Sequence, residues 1–216
     1  MNKHTWLHSL FIGLALLSTS SLVACGQHAP SSAPPTQTPV VEPEPEIPPN
    51  FTTYTSEGLF SISYPPDLVL DTESMETYAK IPRENLRPVF SGDIPIEGGS
   101  YAFLMVMVSP SWGDSTLDDL TEYGCDYLRN NQPGFLLYSQ DKTVVDGRAA
   151  LILKYRKWGQ DIGEWRNLDL FIIEDNLVWW VTCSAQPENF EDYVDTFYSI
   201  LCSFRILTHW WTRWTM

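Results

Sequence analysis

Histidine is missing from the central stretch of this 216-residue chain: His4, His8, His28 and His209 all lie outside residues 51–207. Without an imidazole there, Ser-His-Asp and Cys-His catalysis are excluded from that stretch, as is any zinc or copper site built on histidine. No Cys-X-X-Cys pair occurs either, which removes the usual thiolate metal site. Glycines never fall into a nucleotide-binding pattern, and no internal repeat is visible. Cations are scarce, thirteen Lys and Arg against twenty-seven Asp and Glu, for a net charge of −14. Phosphate binding needs a basic face, so nucleic acid is excluded as a partner. Such a balance suits the solvated surface of an exported protein, or one that attracts divalent cations or a basic partner.

No apolar run is long enough to span a bilayer, but one is long enough to direct export. Lys3 supplies a positive start, and Leu7 to Leu17 an apolar segment of roughly ten residues, about half a membrane span. Leu22-Val23-Ala24-Cys25-Gly26 follows, and the small or aliphatic residues before the cysteine read as a lipoprotein processing site. Cleavage there leaves the Cys25 thiol at a new N-terminus, ready to receive a diacylglycerol. Residues 1–24 are therefore expected to be a signal peptide. Cys25 is expected to carry the lipid that holds the chain on a membrane of the cell envelope, outside the cytoplasm. An ordinary secretory signal followed by a coincidental cysteine is the alternative.

Residues 25–50 hold the lipidated cysteine and a linker rich in Pro, Ser, Thr, Gln and Glu, which has nothing to build a core from. Repeated Pro-X pairs favour extended polyproline II, a semi-stiff tether reaching on the order of 70 Å. From residue 51 to 207 the composition shifts to alternating aromatics and aliphatics with regular turn signals, long enough for one domain with a core. The last stretch, 208–216, carries Trp210, Trp211 and Trp214 beside Arg213, a composition that suits a membrane interface. Packing against the domain's own edge competes with that reading.

Lipidation leaves Cys125, Cys183 and Cys202, an odd set that makes at most one bridge. Cys183 ends a predicted strand and Cys202 the helix after it. A helix of about twelve residues runs back roughly 18 Å, so these two thiols are expected at opposite ends, buried and free.

Periodicity predicts the elements. Residues 52–55 and 59–64 read as strands, residues 71–99 as a long excursion with one short helix, and 101–108 as a strand apolar on both faces. Ser115-Thr116-Leu117-Asp118 resembles a helix cap. Asp146-Gly147 signals a hairpin between 135–145 and 148–158. In the next hairpin, pairing Trp158 with Trp165 sets Leu153 opposite Leu170 and Lys154 opposite Asp169, and the two tryptophans read as a clamp on the turn. The turn at Asp175-Asn176 places Phe171 opposite Trp180 and Ile172 opposite Trp179, making the last long strand central. A helix over about 188–201 buries Phe190, Val194, Phe197 and Leu201 and exposes Glu191, Asp192 and Asp195. The expected architecture is α+β, a three-layer α/β/α sandwich with a central, mostly antiparallel sheet.

Three stretches carry a resemblance. Gly58-Leu59-Phe60-Ser61-Ile62-Ser63-Tyr64-Pro65, the Val145-Asp146-Gly147-Arg148-Ala149 hairpin and the closing helix running into Ser203-Phe204 resemble the PsbP-like family. Its members include the extrinsic subunit of the plant oxygen-evolving complex and many bacterial lipoproteins. The resemblance spans roughly residues 52 to 206, with the elements in the same order. It implies a sandwich that docks onto protein complexes, and no enzyme. Leu68 stands where the family commonly has tryptophan, and the 71–99 excursion is longer than usual. Photosystem binding does not carry over, because its residues have no match here. The same holds for the metal-binding histidines of the plant members.

No catalytic residue, metal ligand or cofactor is expected. Asp118, Asp119, Glu122 and Asp126 on the first long helix, and Glu188, Glu191, Asp192 and Asp195 on the second, are read as solvated faces; calcium binding or acid–base chemistry is the sharper alternative. Tyr78, Arg83 and Arg87, cations and an aromatic in a long loop, are the candidate partner-binding residues. The expected function is a non-catalytic assembly module on an envelope lipoprotein, with an envelope protein as partner. A small-molecule or metal-sensing domain is the rival.

Overall fold

Gly58, at φ 73°, turns the chain between β1 (Thr52–Ser56) and β2 (Phe60–Tyr64), which pair antiparallel. Pro65 ends β2. These coordinates form a computed structural model that describes residues 46–56, 58–78, 87–96, 100–110, 115–159 and 163–207. β2 takes a second partner from the far end of the domain, β10 (Arg205–Ile206), giving a small sheet of order β1-β2-β10. The Ser63 amide also donates to Ser203 Oγ at 2.8 Å, across 140 residues of sequence. The single sheet expected from sequence is thus two, since periodicity carries no information about which strands share a ladder.

The main sheet has seven strands, every pair antiparallel, in the order β3 (Val69–Leu70), β4 (Arg87–Pro95), β5 (Tyr101–Pro110), β9 (Leu177–Ala185), β8 (Gly163–Glu174), β7 (Arg148–Gly159) and β6 (Leu136–Val145). The short helix α1 (Thr72–Tyr78) comes before β4. Strand β4 corrects the expected excursion. Its prolines hide it from a sequence reading, but Pro88 lies at a bulge against β5 and Pro95 at the strand's last residue, where a missing donor costs little. Phe90 and Ile94 are buried, and Gly92 lets the Leu68 side chain close onto β4.

Helix α2 (Leu117–Asn131) starts from a capping box between Thr116 and Asp119, one residue later than Ser115. Strands β6, β7, β8 and β9 follow as a meander. Asp146 and Gly147, then Asp175 and Asn176, take positive φ at both central positions of their turns, as two-residue hairpins matched to strand twist require. Strand β9 is central, between β5 and β8, and Phe171 faces Trp180 and Ile172 faces Trp179 as the pattern predicts.

The β7–β8 register differs from expectation by one residue. Trp158 lies opposite Glu164, Lys157 opposite Trp165, Leu153 opposite Asp169 and Lys154 opposite Leu168. Both faces of β7 are apolar, with Leu151, Leu153 and Tyr155 buried on one and Ala150 and Ile152 on the other. Either register therefore buries hydrophobic side chains, and alternation does not choose between them.

Helix α3 (Pro187–Cys202) opens on a proline in its first turn and buries Phe190, Phe197 and Leu201, with Val194 half-buried and Glu191, Asp192 and Asp195 exposed. Its stripe joins Phe60, Trp179 and Phe204 in the main core, where Phe60 meets both other rings at 5.7–5.9 Å between centroids. Each such aromatic contributes about 2–3 kcal/mol through burial. A second cluster, Cys125, Leu151, Leu153 and Tyr155, lies on the opposite face of β7, with Leu117 and Leu128 of α2 against it. Cys125, Cys183 and Cys202 are buried free thiols. The result is an α+β fold of mostly antiparallel sheet with three helices among the described residues.

Candidate functional site

Of the residues singled out from sequence, Cys25, Arg83, Trp210, Trp211 and Trp214 lie outside the described residues. Tyr78 closes α1 and Arg87 opens β4 opposite Val108; their side chains are not among those described.

Several of the helix carboxylates are engaged locally. Asp118 pairs with Lys142 at 2.6 Å, Asp126 with Arg129, and Glu191 with both Lys154 and Arg166. Asp119 accepts hydrogen bonds from the side chain and backbone of Thr116, which hold its carboxyl below the usual range. Among the described residues, no cluster of three or more His, Cys, Asp or Glu is placed to hold a metal ion.

One carboxylate behaves differently. Asp169 is fully buried on the α2 side of β8, where the Tyr155 hydroxyl donates to Oδ2 at 2.8 Å and the Thr182 hydroxyl to Oδ1 at 2.5 Å. Burial pushes its pKa up to about 6, against the pull of the Thr182 bond, the Lys157 charge and the Tyr155 bond. Burial together with the Asp169 charge raises Tyr155 well above its ordinary value, and burial lowers Lys157. Neither described cavity is lined by this group. Its geometry fits an internal tether between β7, β8 and β9 better than an acid presented to a substrate.

The larger described cavity is an open groove of about 610 Å³ between the start of α2 and the β6–β7 turn, lined by Ser115, Thr116, Asp146, Arg148 and Glu174 among others. Its polar groups hold one another. Arg148 pairs with the Asp146 carboxylate, lies 3.3 Å from Glu174 and donates to the Ile206 carbonyl at 3.4 Å, while Arg205 lies 3.5 Å from Asp146. Arg148 thereby clamps two hairpin turns to β10, which explains structurally the hairpin arginine noted in the sequence.

The smaller cavity, about 310 Å³, is bounded by Tyr138, Lys154, Arg166 and Glu191. Here five charges alternate along a ladder. Arg156 reaches Glu164 at 3.5 Å, Glu164 reaches Arg166 at 3.7 Å, Arg166 reaches Glu191 at 2.9 Å, and Glu191 reaches Lys154 at 3.3 Å. Arg156 and Arg166 are directly opposite one another on β7 and β8. Beside them stand three exposed apolar side chains, Leu136 at 46 %, Tyr138 at 44 % and Trp158 at 47 %. The Arg166 guanidinium lies 6.0 Å from the Tyr138 ring centre. Aromatic and arginine side chains at a sheet rim are the residue types enriched in protein interfaces.

Trp158 and Trp165 do not form a clamp. With the observed register they project from opposite faces, Trp158 beside Gly134 and Trp165 against Tyr101 at 6.0 Å between ring centres. The ladder was invisible in the sequence because the one-residue slip in register also hides Arg156 facing Arg166.

The elements and their order define an α+β protein of PsbP/Mog1-like architecture. Solved structures with this architecture include the cyanobacterial PsbP, CyanoP, of Synechocystis sp. PCC 6803 (TM-score 0.54, 17 % identity, covering 73 % of this chain and 92 % of that one). LpqN of Mycobacterium tuberculosis, described as involved in cell envelope biogenesis, gives a TM-score of 0.50 at 13 % identity over 73 % of this chain and 90 % of its own. The Ran-binding protein Mog1p of Saccharomyces cerevisiae gives 0.50 at 9 % identity over 73 % and 96 %. At these identities the likeness is one of fold. Neither a family model nor a curated protein matches the chain by sequence.

Proposed function

We propose that this chain is an envelope lipoprotein displaying a non-catalytic, PsbP-like protein-docking domain. Residues 1–24 are its signal peptide, Cys25 its lipid anchor, 25–50 its tether, 51–207 the domain with helices on both faces of the main sheet as a three-layer α/β/α sandwich, and 208–216 a tail whose Trp210, Trp211 and Trp214 rest at the membrane interface. The observation that carries the reading is the rim patch of Leu136, Tyr138 and Trp158 around Arg156 and Arg166, apolar and cationic on an otherwise acidic chain. The involvement of LpqN in cell envelope biogenesis and the Ran binding of Mog1p support a role in recognition. Both described cavities are open grooves with their charges paired, which favours docking over small-molecule sensing.

In-cell crosslinking of the lipidated protein followed by affinity capture and mass spectrometry tests this. The expected result is a stoichiometric envelope partner, captured less by the Arg83→Glu/Arg87→Glu variant. Absence of any enriched partner overturns the reading. A Cys25→Ser variant is expected to leave the membrane fraction.

A further inference from the structure

We propose that the outer edge of β6 is a strand-addition site for an extended acidic segment of a protein partner, read by Tyr138, Leu136 and the arginine pair Arg156 and Arg166. This rests on the docking reading above and names the chemistry of the partner. The two edges of the main sheet are unequal. One ends in β3, two residues long; the other ends in β6, ten residues long, which pairs only with β7 among the described residues. Unpaired edges are commonly blunted by shortness, charge or a bulge. Strand β6 carries Asp141 and Lys142 in its second half, whereas Leu136 and Leu137, which precede the bulge at Tyr138, are uncharged and paired in regular register with β7.

Among the described residues, the charge ladder beside that half carries more cations than carboxylates. Three cations, Lys154, Arg156 and Arg166, share two carboxylates, Glu164 and Glu191. Like charges directly opposite one another across strands cost stability, and only Glu164, at 3.5 and 3.7 Å, separates Arg156 from Arg166. The Nε atoms of both arginines are buried and make no hydrogen bond among the described residues. A third carboxylate, delivered from a strand laid along β6 past Leu136, which faces Arg156, would balance the ladder. Main-chain hydrogen bonds along the edge give such a complex its affinity and alternate side chains its selectivity. Elsewhere the net charge of −14 repels an acidic partner, which confines its binding to this cation-rich rim.

The test uses the full lipidated chain in detergent and two ten-residue peptides, one alternating valine with glutamate and one alternating valine with lysine. Hydrogen exchange is read at the amides of β6. The glutamate peptide is expected to slow exchange in β6 at least tenfold while the lysine peptide leaves it unchanged. Arg156→Gln and the separate surface variant Leu136→Glu, which sets a carboxylate of the chain's own against the incoming one, are each expected to weaken the glutamate peptide tenfold or more, with the exchange of β9 unaltered as the check that the domain is folded. Equal protection by both peptides, no protection by either, or insensitivity to both variants overturns the proposal. A stoichiometric cellular partner whose crosslinks avoid β6, together with no protection by the glutamate peptide, overturns this site and leaves the docking reading standing. Protection by the glutamate peptide without any cellular partner overturns the docking reading alone.

Discussion

The hydroxyl of Tyr155 donates to a carboxylate oxygen of Asp169 at 2.8 Å, and neither side chain reaches solvent. A carboxylate in such a place is costly when ionised, and the cost sets how the fold responds to pH.

Asp169 has its pKa raised to about 6 in the folded chain, against about 3.9 when unfolded. The native state therefore holds this proton more tightly. Its contribution to stability is fully present below about pH 4 and is lost as pH rises through about 6, up to about 3 kcal/mol in all. Asp169→Asn is expected to flatten the pH dependence by removing the titrating group, while the amide keeps one acceptor oxygen for the two hydroxyls. Urea unfolding at pH 5, 6.5 and 8 checks this; parallel curves for the two proteins would contradict it.

Arg148 is only 15 % exposed and holds Asp146, Glu174 and Ile206, whereas Arg129 and Asp126 are each about 60 % exposed. Arg148→Met is expected to cost about 1–3 kcal/mol, because it takes the guanidinium from Glu174 and leaves Asp146 with Arg205 alone. Arg129→Met should stay within about 0.5 kcal/mol. Equal losses in chemical denaturation would refute the clamp.

Gly134 takes φ +69° directly under the Trp158 indole, where a Cβ would collide with the ring. Gly134→Ala is expected to cost about 1–2 kcal/mol, from backbone strain and from the displaced indole. It should also change the fluorescence of this half-exposed tryptophan. An unchanged spectrum with unchanged stability would show that the stack carries no weight.

Cys183 is fully buried and Cys125 and Cys202 nearly so, and burial raises the thiols of Cys183 and Cys125 above their ordinary values. In a Cys25→Ser background the three are expected to resist thiol reagents in the native state and to react together on unfolding. Labelling of any one under native conditions would locate a region that opens on its own.

Much of this fold could be read from the chain because its signals were local. Asp146-Gly147 and Asp175-Asn176 mark their hairpins by turn chemistry, and the spacing of Phe190, Phe197 and Leu201 marks α3. Strand β4 escaped because Pro88 and Pro95 read as breakers until the bulge and the strand end that accommodate them are seen. The β7–β8 register escaped because Leu153 and Ile152 are both buried, so a slip carried no hydrophobic penalty. Everything that depends on that register, the Asp169 tether and the facing arginines alike, was hidden with it. Tyr78, Arg83 and Arg87 stand out in the sequence as an aromatic and scarce cations in a long excursion, a signal that does not say which cations come together in space.

The bond from the Ser63 amide to Ser203, and the pairing of β2 with β10, bear on how the chain matures. A polypeptide emerging from its amino end makes β2 early, but the partner strand arrives only about 140 residues later. Until then Phe60 and Ile62 lack the cover that Phe204 and Ile206 bring, so the first hairpin waits as an exposed apolar ribbon. The small sheet cannot close until residues 203–206 are available, and a chain cut short before Phe204 would be left sticky at its beginning rather than at its end.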